Sequence, residues 1–351
     1  MKFVNGFIPS PEDKRDFVTT AIIPSDQEVP KKVLWNLPVI RDQGPFGSCV
    51  GFGTAGLKNI QENEQKDYVD GGLSPLFIYT LCKQQDGIPY VEGTYIRIGM
   101  STLLDYGTST EKSFPYSLLK QGLVFPAVPN DVKEEAVRYK VKSYASVPLN
   151  NLLALKQAMT QSPIVAGVGV YENFFNPEKG FVPKPAGYRA GGHCILFVGY
   201  DDELMHTYSN GATKKGFIKF ANSWGESWGE KGYGYIAYDD LGYYVNGNPF
   251  VYELWSSIDI VMDPVVPPTP PEPPTPTKYY KVQVGAFKVK ANCQNFVSIV
   301  KDAGFSTYMP PIDADGLYRV QCGAFLVKAN ADRLKAKLIE SGFKDAFIVY
   351  K

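Results

Sequence analysis

The stretch Arg41-Asp42-Gln43-Gly44-Pro45-Phe46-Gly47-Ser48-Cys49 sets the first expectation for this chain. It follows an extended Leu37-Pro38-Val39-Ile40 segment and precedes a run of helical character from Val50 to about Gln65. The thiol of Cys49 is therefore expected at the N-terminus of a helix, where backbone amides and the helix dipole stabilise a thiolate. We expect the pKa of this thiol to fall, and Gln43 offers a side-chain amide that can hold an oxyanion.

Two more polar side chains, far downstream, extend this pattern. His193 opens an apolar strand that continues to Tyr200, and Asn222 opens the motif Asn222-Ser223-Trp224-Gly225. A thiol, an imidazole base and an amide that orients the imidazole form a nucleophilic constellation. Cys49 and His193 are 144 residues apart, a separation within the range of papain-like enzymes.

These motif blocks, in this order, resemble the papain (cathepsin-like) cysteine peptidases from about Leu34 to about Met262. The resemblance implies an α+β fold of two lobes, one helical and one β-barrel-like, and it implies a role for each matching residue. It implies that Cys49 is the nucleophile, that His193 is the general base and acid, and that Asn222 orients the imidazole. It also implies that Gln43 donates to the oxyanion and that Trp224 shields the His–Asn hydrogen bond from water. The residues that would bind substrate are Gly93, Thr94 and Gly192.

The chain also departs from the family pattern. Val50 stands where the family usually has Trp, and Phe46 stands where it usually has a disulfide-forming Cys. No Cys lies near Glu92-Gly93-Thr94-Tyr95, the counterpart of the specificity loop, and Gly192 replaces the usual Asp before the histidine. Since the thiol, base, amide and oxyanion donor all remain, these departures bear on substrate preference more than on chemistry.

Composition narrows the function classes. The 351 residues carry 36 basic and 36 acidic side chains, so no basic stripe favours nucleic acid and no polybasic tail favours a membrane. With two histidines and scattered cysteines we expect no metal site and no cofactor. The cysteine pattern is typical of a reducing compartment, and residues 1–9 lack the apolar run of a signal peptide. We therefore expect synthesis in the cytoplasm without a signal peptide and action at the bacterial cell wall or outside the cell.

The catalytic region is expected to span 34–262, after an N-terminal lead of residues 1–33 that is either a structural wrap or a short removable blocker. Ser74 as N-cap and Pro75 at the first position predict the start of a second helix. Glycines in the helix after Cys49 predict close packing between the lobes. The other predicted elements are helices at about 95–106 and 149–160 and strands at 164–170, 194–200, 217–221 and 234–238.

A proline-rich linker, 263–278, precedes an internal repeat. Eight prolines between Pro264 and Thr277 predict a semi-rigid spacer that reaches about 43 Å. Tyr280-Lys281-Val282-Gln283-Val284-Gly285-Ala286-Phe287 then recurs, 38 residues later, as Tyr318-Arg319-Val320-Gln321-Cys322-Gly323-Ala324-Phe325. Residues 279–351 resemble the SPOR domain of bacterial cell-wall amidases and division proteins. The repeat predicts βαββαβ order with a four-stranded sheet and two helices, and the resemblance implies binding to peptidoglycan glycan strands.

Strand alternation assigns the two faces of this sheet. The positions expected to face the helices are Val282, Val284, Val320 and Cys322. Those expected on the open, glycan-binding face are Lys281, Gln283, Arg319 and Gln321.

Other conspicuous residues have structural interpretations. Cys194 and Cys322 lie on apolar strands and are expected in the core. His206 is expected in a hairpin connection with no catalytic role, and Trp228 is expected to be structural.

Three functions remain open at this stage. The first is a cysteine endopeptidase delivered to the cell wall by its C-terminal module, cutting the peptide part of peptidoglycan as a phage-type lysin does. The second is a protease of wall-associated proteins. The third is a wall-binding protein whose papain fold has lost activity, which the intact Cys, His, Asn and Gln argue against.

Overall fold

The computed structural model describes residues 6–13, 16–19, 28–119, 125–259, 278–313, 315–325 and 327–351. The predicted linker, apart from Lys278, lies outside these ranges, as does part of the predicted lead. The chain divides into two compact units, Met1–Pro264 and Val265–Lys351. Each unit has its own hydrophobic core.

Helices dominate the first half of the N-terminal unit. They are α1 (Cys49–Glu64), α2 (Pro75–Gln85), α3 (Ile96–Asp105) and α4 (Asn130–Ala136), with α5 (Leu152–Met159) and α6 (Tyr238–Leu241) further along. Helix α2 begins where predicted, because the Ser74 side chain accepts a hydrogen bond from the Phe77 N–H at 3.1 Å. Helix α4 has no counterpart among the sequence predictions.

The glycines of α1 allow the helix to lie directly against the sheet. A Cβ atom on Gly53 would come within 2.7 Å of the Cys194 sulfur, and one on Gly56 within 3.0 Å of a Leu196 methyl. The predicted close packing between the lobes is therefore confirmed. Each glycine weakens the helix by about 1 kcal/mol relative to alanine, which packing must offset.

The described strands of this unit form a seven-stranded antiparallel sheet and a separate two-stranded ribbon. The sheet strands are β1 (Lys32–Leu34), β2 (Val141–Ser146), β3 (Ile164–Tyr171), β4 (Arg189–Thr207), β5 (Thr213–Ala221), β6 (Tyr233–Ala237) and β9 (Val251–Asp259), and the ribbon strands are β7 (Tyr244–Val245) and β8 (Asn248–Pro249). The order is β2-β9-β3-β4-β5-β6, with β1 paired to β4. This sheet is open between β2 and β6, so the lobe is not a closed barrel.

Strand β4 is much longer than the predicted segment 194–200. It continues to Thr207 and pairs with β5 as far as Thr213, with an irregularity between Asp201 and Met205. His206 therefore lies within a strand, opposite Lys214, and not in a hairpin connection.

The C-terminal unit has the predicted alternation of strands and helices. Its elements are β10 (Tyr280–Phe287), α7 (Lys290–Asp302), β11 (Tyr318–Phe325), α8 (Lys328–Glu340) and β12 (Phe347–Tyr350). Within the described residues the sheet has three strands in the order β11-β10-β12, and Tyr308 takes the place of the expected fourth strand through a single bridge to Gln321. The core contains all four residues predicted to face the helices, Val282, Val284, Val320 and Cys322.

Candidate active site

An imidazole–amide pair lies at the start of the long central strand. The Nε2 atom of His193, on β4, is 2.8 Å from Oδ1 of Asn222, which follows β5. Trp224 stacks on the imidazole with ring centroids 4.6 Å apart, and both rings are buried. The Asn222 amide thus fixes the ring orientation, while Trp224 keeps water from that hydrogen bond. Burial lowers the pKa of His193 to about 4, although the Asn222 hydrogen bond acts in the opposite direction.

The Cys49 thiol begins α1, as predicted, but the prediction of a lowered pKa is wrong. The side chain is 0% exposed, and burial raises its pKa to about 11. Backbone groups of Cys194 and Gly6 near the sulfur favour the thiolate but do not outweigh this loss of hydration. The thiol lies near the backbone of Cys194, the residue that follows His193 on β4.

Gln43 joins the loop before α1 to the loop that carries Asn222. Its backbone N–H donates to the Ser223 carbonyl at 2.8 Å, and its side-chain Oε1 accepts from the Ser223 hydroxyl at 2.6 Å. Its Nε2 donates to the Phe46 carbonyl at 2.7 Å, which uses one of the two N–H groups of the amide. The Gln43 side chain is fully buried in the loop that leads to Cys49.

Residues 6–8 of the N-terminal lead run through the cleft between the Gly93–Thr94 loop and the start of β4. The Phe7 N–H donates to the Gly192 carbonyl at 3.0 Å. The Thr94 N–H donates to the Gly6 carbonyl at 3.0 Å, and the Ile8 N–H donates to the Thr94 carbonyl at 3.1 Å. Two residues predicted to bind substrate, Thr94 and Gly192, therefore bind the protein's own chain through main-chain groups.

The Phe7 side chain fills a pocket in the same cleft. It is 4% exposed and packs in the same core cluster as Cys49 and Cys194. Its ring lies 6.0 Å from that of Tyr252, edge to face, and a Cβ on Gly167 would collide with it. Phe7 and its neighbours therefore lie at residues predicted to bind substrate, while Lys32 and Val33 of the same lead pair with β4. The Phe7 contact could not be predicted from the sequence, since a glycine followed by phenylalanine is common.

Two polar contacts tie the lead to β9 and to α3. The Ser10 hydroxyl donates to Oε1 of Glu253 at 3.0 Å. Asp16 forms a 2.6 Å ion pair with Arg97. These polar contacts supplement the apolar burial of Phe7.

The remaining cysteines, the second histidine and Trp228 lie outside this site. All five cysteines fall within the described residues, and each is a buried, unpaired thiol. Cys194 points into the core against α1, as predicted. His206 stacks on Phe181 at 4.0 Å, and Trp228 stacks on Phe174 at 5.4 Å.

The predicted open face of the C-terminal unit is less open than expected. Gln283 and Gln321 are only 6% and 4% exposed. They pair across β10 and β11, and the Tyr308 bridge flanks Gln321 on its other side, so the neighbouring strands cover them. Arg319 is also engaged, since Asp313 and Asp315 both form ion pairs with it. Lys281 is half-buried.

Two further observations concern the described residues as a set. Their His, Cys, Asp and Glu side chains do not gather into groups of three or more that could hold a metal ion. None of the helices they form is both long enough and apolar enough to cross a membrane.

Helices packed on an open antiparallel sheet, a thiol at a helix N-terminus and a buried His–Asn pair are features of thiol-dependent hydrolases. Residues 25–247 match the family model described as papain family cysteine protease, and residues 276–350 match that of the SPOR domain. The chain belongs to the papain family of cysteine proteases. It is a cysteine-type peptidase that carries a C-terminal SPOR domain.

Individual relatives agree with this assignment. An uncharacterized peptidase C1-like protein of Acanthamoeba polyphaga mimivirus is 29% identical over 239 residues, covering 64% of this chain and 71% of the relative. Cathepsin J of Mus musculus is 28% identical over 208 residues, and this chain spans 57% of its length. The crystal structure of xylellain, a cysteine protease from Xylella fastidiosa, superposes with a TM-score of 0.62 at 26% identity, covering 73% of this chain and 96% of xylellain.

Proposed function

We propose that Cys49, His193 and Asn222 hydrolyse amide bonds in the bacterial cell wall, to which the SPOR domain delivers them. The observation that carries this proposal is the buried 2.8 Å contact between His193 and Asn222. The thiol that begins α1 lies near the backbone of Cys194, on the same strand as His193. An orienting amide leaves the second ring nitrogen, Nδ1, as the proton acceptor. That atom has no hydrogen-bond partner among the described residues, so its lone pair is available for the proton of the Cys49 thiol.

The first chemical step is attack of the Cys49 sulfur on a substrate carbonyl carbon. His193 takes the thiol proton, and a C–S bond forms as the carbonyl π bond opens to an oxyanion. The Cys49 backbone N–H and the Gln43 amide stabilise this negative charge. Because Ser223 fixes the Gln43 side chain, that donor needs little reorganisation during the reaction.

The second step releases the amine and then the acid. The imidazolium of His193 gives its proton to the leaving nitrogen as the C–N bond breaks, which leaves an acyl group on Cys49. Water then attacks the acyl carbon while His193 accepts its proton. The free acid departs and the thiol is restored.

The lead must leave the cleft before any of this occurs. With Gly6 and Phe7 in place, the substrate position is occupied and Cys49 is a buried neutral thiol, which is a poor nucleophile. Withdrawal of the lead hydrates the sulfur and removes the largest cause of its raised pKa. We therefore assign the lead the role of a blocker that keeps the enzyme latent.

The SPOR domain supplies the location of the substrate. Its family resemblance favours glycan strands as the ligand, with Lys281, Gln283, Arg319 and Gln321 as the assigned contacts. The bond cut would then be an amide of the peptide part of peptidoglycan, as in a lysin. Hydrolysis of wall-associated proteins is the alternative that this same location allows.

Purified sacculi distinguish these possibilities. The full chain and its Cys49→Ala variant are incubated with sacculi, and released fragments are identified by mass spectrometry. New free amino groups in muropeptides, absent with Cys49→Ala, are the expected result. Release of protein fragments alone would favour the alternative substrate, and identical release by both proteins would refute the catalytic assignment.

Removal of residues 263–351 tests delivery. Tethering raises the local concentration of the catalytic unit at the wall, so the shortened chain should lose activity on sacculi and keep activity on a small soluble peptide. Equal loss on both substrates would refute the delivery role.

A further inference from the structure

A buried lysine holds the loop that carries Gly93 and Thr94. Lys83, on the third turn of α2, is 5% exposed. Its ammonium group donates to three main-chain carbonyls, those of Ile88 at 2.8 Å, Val91 at 2.8 Å and Gly93 at 3.0 Å. All three donors of an ammonium group can thus be used within one short loop.

Two neighbours complete this arrangement. Asp86, at the end of α2, balances the buried charge with an ion pair of 2.8 Å to Lys83, and its other oxygen accepts from the Ile88 N–H. Tyr79 lies one turn before Lys83, and its hydroxyl accepts from the Gly93 N–H at 3.1 Å. Both polar main-chain groups of Gly93 are therefore tied to α2.

The backbone conformation of Gly93 determines where the main-chain polar groups of Thr94 point. Gly93 has a φ of +94°, a backbone conformation that side-chain-bearing residues rarely adopt. With its own N–H and C=O turned toward α2, the next residue turns its N–H and C=O into the cleft. These are the two groups of Thr94 that bond Gly6 and Ile8 of the lead.

This loop lacks the covalent support that the family pattern would give it. Phe46 occupies the disulfide position before the nucleophile, and no cysteine lies near Gly93. A loop of irregular backbone positions its polar groups only as well as its supports do. The buried ammonium group and the Tyr79 hydroxyl are the supports found here.

We propose that Lys83, assisted by Tyr79, is a positioning residue that sets the Gly93–Thr94 edge to receive the main chain of a substrate. It acts through the loop and does not touch the reacting atoms. The inference rests on the proposed function of Cys49, because the edge matters for catalysis only if that thiol is the nucleophile. When the lead withdraws, the substrate main chain takes over the two hydrogen bonds of Thr94.

The test compares two reagents for the same thiol. A peptidyl epoxide needs the main-chain contacts at Thr94 to reach Cys49, whereas iodoacetamide is too small to use them. Both reagents need the lead displaced, so the ratio of their alkylation rates at Cys49 cancels the opening step. The ratio therefore measures how well the Gly93–Thr94 edge positions the peptidyl epoxide, whereas a general loss of stability changes both alkylation rates together.

The principal variant is Lys83→Met with Asp86→Asn, which removes the ion pair and leaves no unpaired buried charge. Its matched control is Lys58→Met with Glu62→Gln and Asp259→Asn. Lys58 is 1% exposed and pairs with both Glu62, at 2.6 Å, and Asp259, so this variant also leaves no unpaired buried charge. Lys58 lies on α1, away from the loop. Tyr79→Phe is a milder variant that deletes only the hydroxyl and keeps the ring.

The ratio should fall about tenfold in the Lys83 variant, equivalent to about 1.4 kcal/mol. It should fall severalfold in Tyr79→Phe and stay at the parent value in the Lys58 control. An unchanged ratio in Tyr79→Phe and in a folded Lys83 variant would overturn this inference and leave the proposed function standing. An equal fall in the Lys58 control would overturn it as well. Failure of both reagents to label Cys49 even when Phe7→Ala has loosened the lead would overturn the proposed catalytic site and this inference with it.

Discussion

Replacing Phe7 with alanine tests whether the lead keeps Cys49 latent. The phenylalanine ring is 4% exposed and is the lead's main apolar contact with the cleft. Truncation of a buried phenylalanine typically costs 3–5 kcal/mol. Since water can enter this vacated pocket from the cleft, we take the lower end, about 3 kcal/mol, as the loss in the free energy that holds the lead down.

That loss converts directly into a rate. Each 1.4 kcal/mol is a factor of ten in an equilibrium constant, so the open form should become about 100 times more populated. If opening is fast relative to alkylation, the rate of Cys49 labelling by iodoacetamide at pH 7 should rise by the same factor of about 100. Mass spectrometry of the labelled peptide gives this rate for Cys49 alone.

A matched control lies on the same segment. Phe17 is 71% exposed, so Phe17→Ala removes the same atoms without emptying a pocket. Gly6→Ala perturbs the lead by a different cause, because the new Cβ would come within 1.9 Å of the Gly47 carbonyl oxygen. Labelling that is unchanged in Phe7→Ala, or raised equally in Phe17→Ala, would refute the reasoning.

Three other outcomes are expected. Gln43→Ala should lower kcat on a soluble peptide by about 10²–10³, the usual loss for one oxyanion donor, and an unchanged kcat would remove Gln43 from the site. Cys194→Ala should keep most turnover, whereas Cys49→Ala should abolish it in the same assay; the reverse result would exchange their roles. Burial lowers the pKa of His193 from 6.5 to about 4, so between these two pH values the imidazole binds a proton in the unfolded state but not in the folded state. The free energy of unfolding should therefore fall by about 3 kcal/mol as the pH drops from 6.5 to 4. His193→Asn should flatten that part of the pH dependence in urea titrations, and an identical slope would contradict the buried, neutral imidazole.

Local signals were enough for several elements. Ser74 and Pro75 predicted the start of α2 because a cap and a first-turn proline act within one helical turn. The repeat in the C-terminal unit predicted which strand face meets the helices, since alternation is a property of two adjacent residues. The long apolar segment after His193 predicted the central strand, although not its polar extension to Thr207.

The errors share a non-local cause. The helix N-terminus alone favours a Cys49 thiolate, but burial among residues distant in the chain, such as Val165 and Cys194, outweighs it. Alternation predicted an open face for Gln283 and Gln321, but it could not show that both side chains are almost fully buried. Strand β2 was missed because its partner β9 is more than 100 residues away; Ser143, for example, pairs with Ile258.

The glycines of α1 have a consequence for the order in which the protein folds. Three of them, Gly51, Gly53 and Gly56, together weaken the isolated helix by about 3 kcal/mol, so α1 gains its stability only on contact with β4 and α2. A partly folded chain therefore holds Cys49 in an unstructured segment, with an ordinary thiol and no base beside it. The arrangement of Cys49 at a helix start close to β4 therefore forms only when α1 docks on the sheet.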